Sequence, residues 1–282
     1  MKGFINVIKP EGMSSAYAVG ALKKKLNLPC GHMGTLDPMA SGVLPVGVGK
    51  ASRLFDYLLD KTKTYIATFR FGYDSDTLDI TGKVEKVDDG LVDESAVKQA
   101  LKLFIGEIDQ VPPNYSAKCV DGKRGYQLAR SGVEFSLPPK KVTIIEFELI
   151  NRLSDSDFQF KIVCKGGTYI RSLARDLGKA LNTSAIMTAL DRTESGVFSY
   201  ENGITVEELK STPDIEKYLI PADSVISFEK VVLTNEQATR ILNGLFDEYP
   251  LSDGFYRVYN GKEFWGVGKV ENKILKIKSY VR

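Results

Sequence analysis

The fifteen residues from Gly31 to Pro45, GHMGTLDPMASGVLP, exclude a regular helix from the stretch that holds the chain's only histidine. Gly34, Pro38 and Gly42 each oppose one: glycine through its backbone freedom, proline through its missing N–H and its ring. What remains is a shaped loop that fixes a single carboxylate, Asp37, in a set direction. An Asp before a Pro is also an ordinary turn former, so local chemistry alone leaves Asp37 either a turn residue or a functional acid.

Charge separates the function classes. The formal net charge of the 282 residues is only +2, but it is unevenly spread. Residues 1–70 hold 10 Lys and Arg against 4 Asp and Glu, whereas residues 71–160 hold 11 against 16. The basic part therefore carries the Asp37 loop, and a local positive field there suits a polyanion such as nucleic acid. Cys30, Cys119 and Cys164 are odd in number and far apart, which argues against a disulfide framework and CxxC metal sites; they read as small apolar fillers in a reducing compartment. One histidine rules out a His-rich metal centre. No apolar run reaches membrane-spanning length, and the first residues lack the apolar core and cleavage site of a signal peptide, so a cytoplasmic location is expected.

Two tempting motifs fail. Around Gly49-Lys50 a phosphate-binding loop would need Gly where Leu44 stands and Ser or Thr where Ala51 stands. Asp74–Asp79 resembles a calcium loop, yet Leu78 occupies a ligand position and the glycine and distal Glu are missing.

The periodicity predicts alternating elements. Residues 3–8 read as a strand, and Ser14 or Ser15 caps a helix with Ala16, Val19, Leu22 and Leu26 on one face. Lys23, Lys24 and Lys25 crowd its last turn, where they suit either the helix dipole or a phosphate. A second helix is expected after Lys50, with Leu54, Tyr57, Leu58 and Leu59 as its apolar positions. Residues 62–71 alternate as a strand with Tyr65, Ala67, Phe69 and Phe71 on one side. Residues 93–105 read as a helix stopped by Gly106. Residues 142–150 and 158–164 read as an antiparallel pair. Gly166-Gly167 leads into a helix with Ile170, Leu173, Leu177 and Leu181 as its buried stripe. Arg171 in its first turn opposes the dipole and calls for an anion to meet. Thr205 and Thr234 open capping boxes. Residues 228–282 read as a small, largely β module, with the domain boundary near 227. Between about 112 and 141, basic residues alternate with Tyr115, Tyr126 and Phe135 among glycines and prolines, a composition that suits phosphates and unstacked bases.

Three segments together resemble the bacterial tRNA pseudouridine synthases that act on uridine 55 of the T loop, the TruB type. They are Gly31–Pro45; Lys63-Thr64-Tyr65 with Asp76-Thr77-Leu78-Asp79; and Lys165-Gly166-Gly167-Thr168-Tyr169-Ile170-Arg171 with Asp176-Leu177-Gly178. The opening Lys9-Pro10-Glu11-Gly12-Met13-Ser14-Ser15 also fits. Pro29-Cys30 stand where the family often carries a basic residue. The resemblance implies an α+β fold: a mixed, mainly antiparallel sheet flanked by helices (the pseudouridine synthase fold), in a catalytic domain 1–227 with an RNA-gripping insertion at about 112–141. Residues 228–282 resemble a PUA-like RNA-binding module.

The resemblance further implies isomerisation of uridine to pseudouridine at position 55 in the T loop of tRNA, with no cofactor, no metal and no obligate protein partner. Asp37 is then the catalytic carboxylate, Arg171 its counter-charge, and Tyr65 the ring that stacks on uracil. Tyr169 and Leu190 wall the pocket, Asp79 contacts the nucleotide, and His32 takes the stack vacated by a flipped base. Lys118, Lys123, Arg124 and Arg130 are the expected phosphate contacts of the insertion.

Overall fold

The computed structural model describes residues 2–58, 61–115, 119–120, 123–124, 137–245 and 247–282, with the backbone alone at 119–120, 123–124 and 247. The order opens β1 (Gly3–Lys9), α1 (Ser15–Leu26), β2 (Cys30–His32) and β3 (Ser41–Val48), then a 3₁₀ segment, Gly49–Tyr57. It continues through β4 (Lys63–Phe71), β5 (Tyr73–Ser75), β6 (Val84–Lys86), α2 (Glu94–Leu101) and β7 (Gly106–Gln110). Next come β8 (Cys119–Val120), β9 (Lys123–Arg124), β10 (Lys140–Arg152), β11 (Asp157–Cys164), α3 (Ile170–Ala180) and β12 (Ala185–Ser195). The remainder is β13 (Phe198–Ser199), β14 (Gly203–Thr205), α4 (Val206–Ser211), β15 (Ile220–Pro221), β16 (Glu229–Leu233), α5 (Asn235–Leu242), β17 (Asp247–Glu248), β18 (Gly254–Asn260), β19 (Glu263–Glu271) and β20 (Ile274–Tyr280).

The chain forms two compact units. One comprises Met1–Pro38, Val43–Asp60 and Val197–Arg282; the other comprises Met39–Gly42 and Lys61–Gly196. The second unit is built on the strand order β3–β12–β4–β11–β10–β7, in which the first residues of β3 run parallel to β12 and every later pair is antiparallel. Gly42 permits the parallel join: it lies at φ +105°, and a Cβ there would sit 2.3 Å from the Arg192 carbonyl oxygen. Phe69, Phe147 and Phe160 meet in the sheet's core, with Phe69 and Phe160 centroids 4.9 Å apart. α3 packs on β12 and β4. Its close approach is possible because Gly178 has no Cβ, which would lie 2.6 Å from the Ala185 nitrogen.

In the first unit β14, β1 and β3 are neighbours, with β2 antiparallel to β3 and β15 antiparallel to β1. Ser14 caps α1 by accepting from the Tyr17 N–H. The buried face of α1 is Ser15, Ala18 and Leu22 rather than the stripe led by Ala16, which is exposed. A serine sits on that face because its hydroxyl has a buried task, described below. The expected second helix is a 3₁₀ segment that buries Ala51 and Leu54. Both capping boxes, Thr205 with Glu208 and Thr234 with Gln237, form as read. Cys164 is fully buried and burial pushes its thiol up to about 11, in keeping with an inert apolar filler.

Residues 228–282 carry their own sheet, β16–β18–β19–β20–β17, and a core around Trp265, Tyr256, Val258 and Leu275. They are nevertheless part of the first unit. Val267 and Val281 lie in one buried cluster with Phe4, Met33, Val43, Leu54 and Phe198. Tyr57 packs edge-on against Phe228 and Phe255, and the Lys50 ammonium donates to the Arg282 carbonyl at 2.5 Å. The Tyr259 hydroxyl donates to Asp223 at 2.8 Å; burial, then that carboxylate, push it up to about 12, so it stays a donor at neutral pH. The compact units thus divide the chain differently from a cut near 227. Truncation after residue 227 is expected to uncover the Met33 and Val43 side of the cluster and to cost several kcal/mol, since each buried Val alone is worth about 1.5–3 kcal/mol. Thermal unfolding followed by circular dichroism checks this; an unchanged melting temperature would show the module to be separable.

Candidate active site

The Asp37 loop begins where β2 and β3 part. Cys30, Gly31 and His32 pair with Val48, Gly47 and Val46, and the Met33 N–H closes the neck on the Pro45 carbonyl at 2.9 Å. His32 is half-buried at this neck, whereas Met33, Leu36, Met39 and Ala40 point into the core.

The backbone is pinned on both sides of Asp37. At Leu36, the buried Ser15 hydroxyl donates to the carbonyl (2.8 Å) and accepts from the N–H (2.9 Å). At Pro38, the carbonyl accepts from the Gly12 N–H (2.8 Å) and from the Lys9 ammonium (3.3 Å). Lys9 is 0% exposed at the end of β1, and its ammonium also donates to the carbonyls of Pro10 and Met13 at 2.9 and 2.7 Å. A buried charge is tolerable only when its hydrogens are used, and these carbonyls use them. The Asp37 side chain remains half-exposed between these two anchors. A fixed backbone with an accessible carboxylate is the form a preorganised acid takes.

Ser15→Ala removes both bonds at Leu36 and leaves a buried N–H and carbonyl without that partner, at a cost of about 1–3 kcal/mol. The expected result is a drop of about 10- to 100-fold in single-turnover rate with RNA affinity little changed, because the loop is displaced and not the RNA surface. An unaltered rate would show that the clamp does not position Asp37.

In the second unit, Tyr65 lies on β4 opposite Arg192, and Leu190 on β12 lies opposite Ala67. Directly opposed residues share a sheet face, so Tyr65 and Leu190 are neighbours on one side, and both are buried. Within the loop after Asp37, Ser41 and Gly42 are fastened to this same strand: they pair with Asp191 and Arg192, and the Ser41 hydroxyl donates to the Asp191 carboxylate at 2.8 Å.

Arg171 sits in the first turn of α3 at 8% exposure. Its guanidinium lies 3.3 Å from the Asp79 carboxylate and donates to the carbonyls of Thr77 (2.9 Å) and Tyr115 (3.1 Å). The anion called for by a cation at a helix N-terminus is therefore supplied by Asp79. It is 2% exposed, and it also accepts from the Thr77 hydroxyl (2.8 Å), the Thr81 N–H (2.9 Å) and the Thr81 hydroxyl (2.5 Å). A carboxylate so enclosed orders Arg171 and its own turn. Between Thr77 and Asp79, Leu78 is held at φ +61°, a strained conformation for a branched side chain of the kind that clusters at functional sites.

Tyr169 is half-buried just before α3. Its backbone is clamped by the buried Gln110 side chain, which accepts from the Tyr169 N–H (2.8 Å) and donates to its carbonyl (3.1 Å). Lys118 and Arg130 lie outside the described residues. Lys123 and Arg124 are described by backbone alone, in β9 paired with β8.

Sequence reasoning gave Lys9, Ser15, Gln110, Thr77 and Thr81 no role at the site. The first two fell inside the quoted opening segment, but nothing local marks a lysine as buried or a serine as a clamp on a residue 21 positions away. No helix among the described residues is long and apolar enough to cross a membrane.

Comparison with known proteins gives the family. The N-terminal domain of the TruB family of pseudouridylate synthases matches residues 23–170, and the tRNA pseudouridylate synthase B C-terminal domain matches residues 171–227. The tRNA pseudouridine synthase B of Alkaliphilus oremlandii is 37% identical over 284 residues, covering 97% of this chain and 94% of its own. That of Clostridium kluyveri is 39% identical, with 95% of each chain covered. Among solved structures, a chain of an H/ACA RNP bound to a substrate RNA containing 2′-deoxyuridine superposes with a TM-score of 0.73 at 25% identity, covering 99% of this chain and 85% of that one.

Proposed function

The chain belongs to the TruB family of pseudouridylate synthases, and from this premise we propose that it isomerises uridine to pseudouridine at position 55 in the T loop of tRNA, with Asp37 as the catalytic carboxylate. The observation that carries the assignment of Asp37 is the pinning of Leu36 and Pro38 by Ser15, Gly12 and Lys9 around an accessible acid.

The reaction conserves atoms. The N1–C1′ glycosidic bond breaks, the uracil turns, C5 bonds to C1′, the C5 proton leaves and N1 gains one. The sugar carbon becomes electron-poor as the first bond breaks, and a carboxylate stabilises or traps such a centre, as in glycoside chemistry. Asp37 performs that task. The target base is flipped out of its loop to reach it, and His32, flat and at the neck of the Asp37 loop, fills the vacated stack. Tyr65 stacks on the extruded uracil and assists loss of the C5 proton. Tyr169 and Leu190 wall the nucleotide. Arg171 supplies positive charge toward Asp37 and is oriented by Asp79. Lys118, Lys123, Arg124 and Arg130 grip phosphates of the T stem-loop. The work is done in the cytoplasm, on free tRNA, without an obligate protein partner.

The test is to map pseudouridine at single-nucleotide resolution in unmodified tRNA incubated with the purified chain. Conversion confined to the T-loop uridine is expected, with no free base. Release of uracil would make the chain a glycosidase, and unmodified RNA at full occupancy would leave it an RNA-binding protein.

A further inference from the structure

A concave surface lies between α1 and α4, both in the first unit, with a volume of about 750 Å³. Its described lining residues are Tyr17, Gly20, Ala21, Lys24, Lys25 and Lys210, with no carboxylate among them. Lys25 reaches across to the Lys210 carbonyl at 3.3 Å, and the Lys210 ammonium stands 5.7 Å from the centroid of the Tyr17 ring. That ring is 58% exposed. Each lysine alone suits the C-terminal end of its helix. The dipole does not account for ammonium groups from two helices converging on one concavity beside an exposed aromatic face.

We propose that this groove is an RNA-binding surface, in which Lys24, Lys25 and Lys210 meet backbone phosphates outside the target nucleotide and Tyr17 offers a flat face to a base or ribose. The proposal rests on the reading of the substrate as tRNA and extends it to a second region of contact. Lysine pairs with phosphate as a point charge, and an aromatic ring beside basic groups is the usual composition of a surface that follows a nucleic-acid backbone. The placement fits. Ser15, at the first turn of α1, clamps the residue before Asp37, and Lys24 and Lys25 lie nine and ten positions on, about 15 Å along the same helix axis. A rigid helix thus joins the catalytic loop to the groove over a span that a folded RNA arm exceeds. The charge of the region agrees, since residues 1–70 hold 10 basic against 4 acidic side chains.

The experiment compares the wild-type chain with the triple variant Lys24→Gln, Lys25→Gln, Lys210→Gln, and separately with Tyr17→Ala. Binding of a labelled, unmodified tRNA transcript is followed by fluorescence anisotropy between about 50 and 200 mM salt. The triple variant is expected to bind at least tenfold more weakly, and its plot of log affinity against log salt should flatten by about 2, at roughly 0.7–0.9 per lost phosphate contact. Tyr17→Ala should weaken binding without changing that slope. The rate of the RNA-saturated enzyme should change less than the affinity. Unchanged affinity and slope in the triple variant would overturn the proposal. So would an unchanged slope with a slower saturated rate, which would assign the lysines to bracing the catalytic loop. The two readings separate cleanly: a wild-type chain that binds tRNA with the expected slope but makes no pseudouridine sinks the activity and leaves the groove standing. Absence of salt-dependent RNA binding by the wild-type chain sinks both.

Discussion

Replacing Asp37 with Asn is expected to abolish pseudouridine formation, by a factor on the order of 10⁴ or more, while tRNA affinity stays within a few-fold. The two side chains have the same shape, so packing is preserved; what is lost is the negative charge and the oxygen able to meet an electron-poor sugar carbon. The loop itself should not move. Ser15 holds the backbone of Leu36, and Gly12 and Lys9 hold the carbonyl of Pro38, all of them bonds to the main chain on either side of Asp37. Loss of rate with the loop intact therefore reads out chemistry. Single-turnover assays on saturating tRNA, with affinity measured in parallel, give the split. A variant that turned over at the wild-type rate would remove Asp37 from the reaction. One that lost affinity and rate together would make the carboxylate a binding group.

The strands and the capped helices were legible in the sequence because each rests on a local rule. Period-2 alternation placed β4, β10 and β11 to within two residues at their ends, and Thr-x-x-Glu and Thr-x-x-Gln marked the starts of α4 and α5. The Asp37 loop was legible because its glycines and prolines exclude the alternatives. What escaped rests on long-range bonds from side chain to backbone. Lys9 reaches a carbonyl 29 positions away and Ser15 a peptide 21 away, and neither distance leaves a periodic trace. Residue type even misleads here, since lysine and serine are ordinarily solvent residues. The buried side given to Ala16 was wrong for this reason. The pairing of Asp79 with Arg171, 92 positions apart in sequence and 3.3 Å apart in the fold, escaped for the same reason. The grouping of residues 228–282 with the first strands was also invisible, because apolar residues such as Val267 and Val281 carry no label for the surface they meet.

The Arg171–Asp79 pair sets the second large expectation. Arg171→Met leaves the Asp79 carboxylate enclosed without its cation and removes the donor to the Thr77 and Tyr115 carbonyls. Breaking a buried pair from one side costs about 3–5 kcal/mol, mostly the penalty of the charge left behind. Asp79→Asn breaks it from the other side and strands the guanidinium, at a similar cost. The double variant, Asp79→Asn with Arg171→Met, removes both charges and should be no less stable than the worse single one, a coupling that thermal or denaturant unfolding measures directly. Activity should not follow stability. If Asp79 serves to aim Arg171, and Arg171 supplies positive charge to the reaction, the double variant recovers folding yet stays as slow as Arg171→Met, on the order of 10²-fold or more below wild type. Recovery of rate along with stability would make the pair a purely structural element. Additive losses in stability would mean that the two side chains, 3.3 Å apart, do not act as a unit.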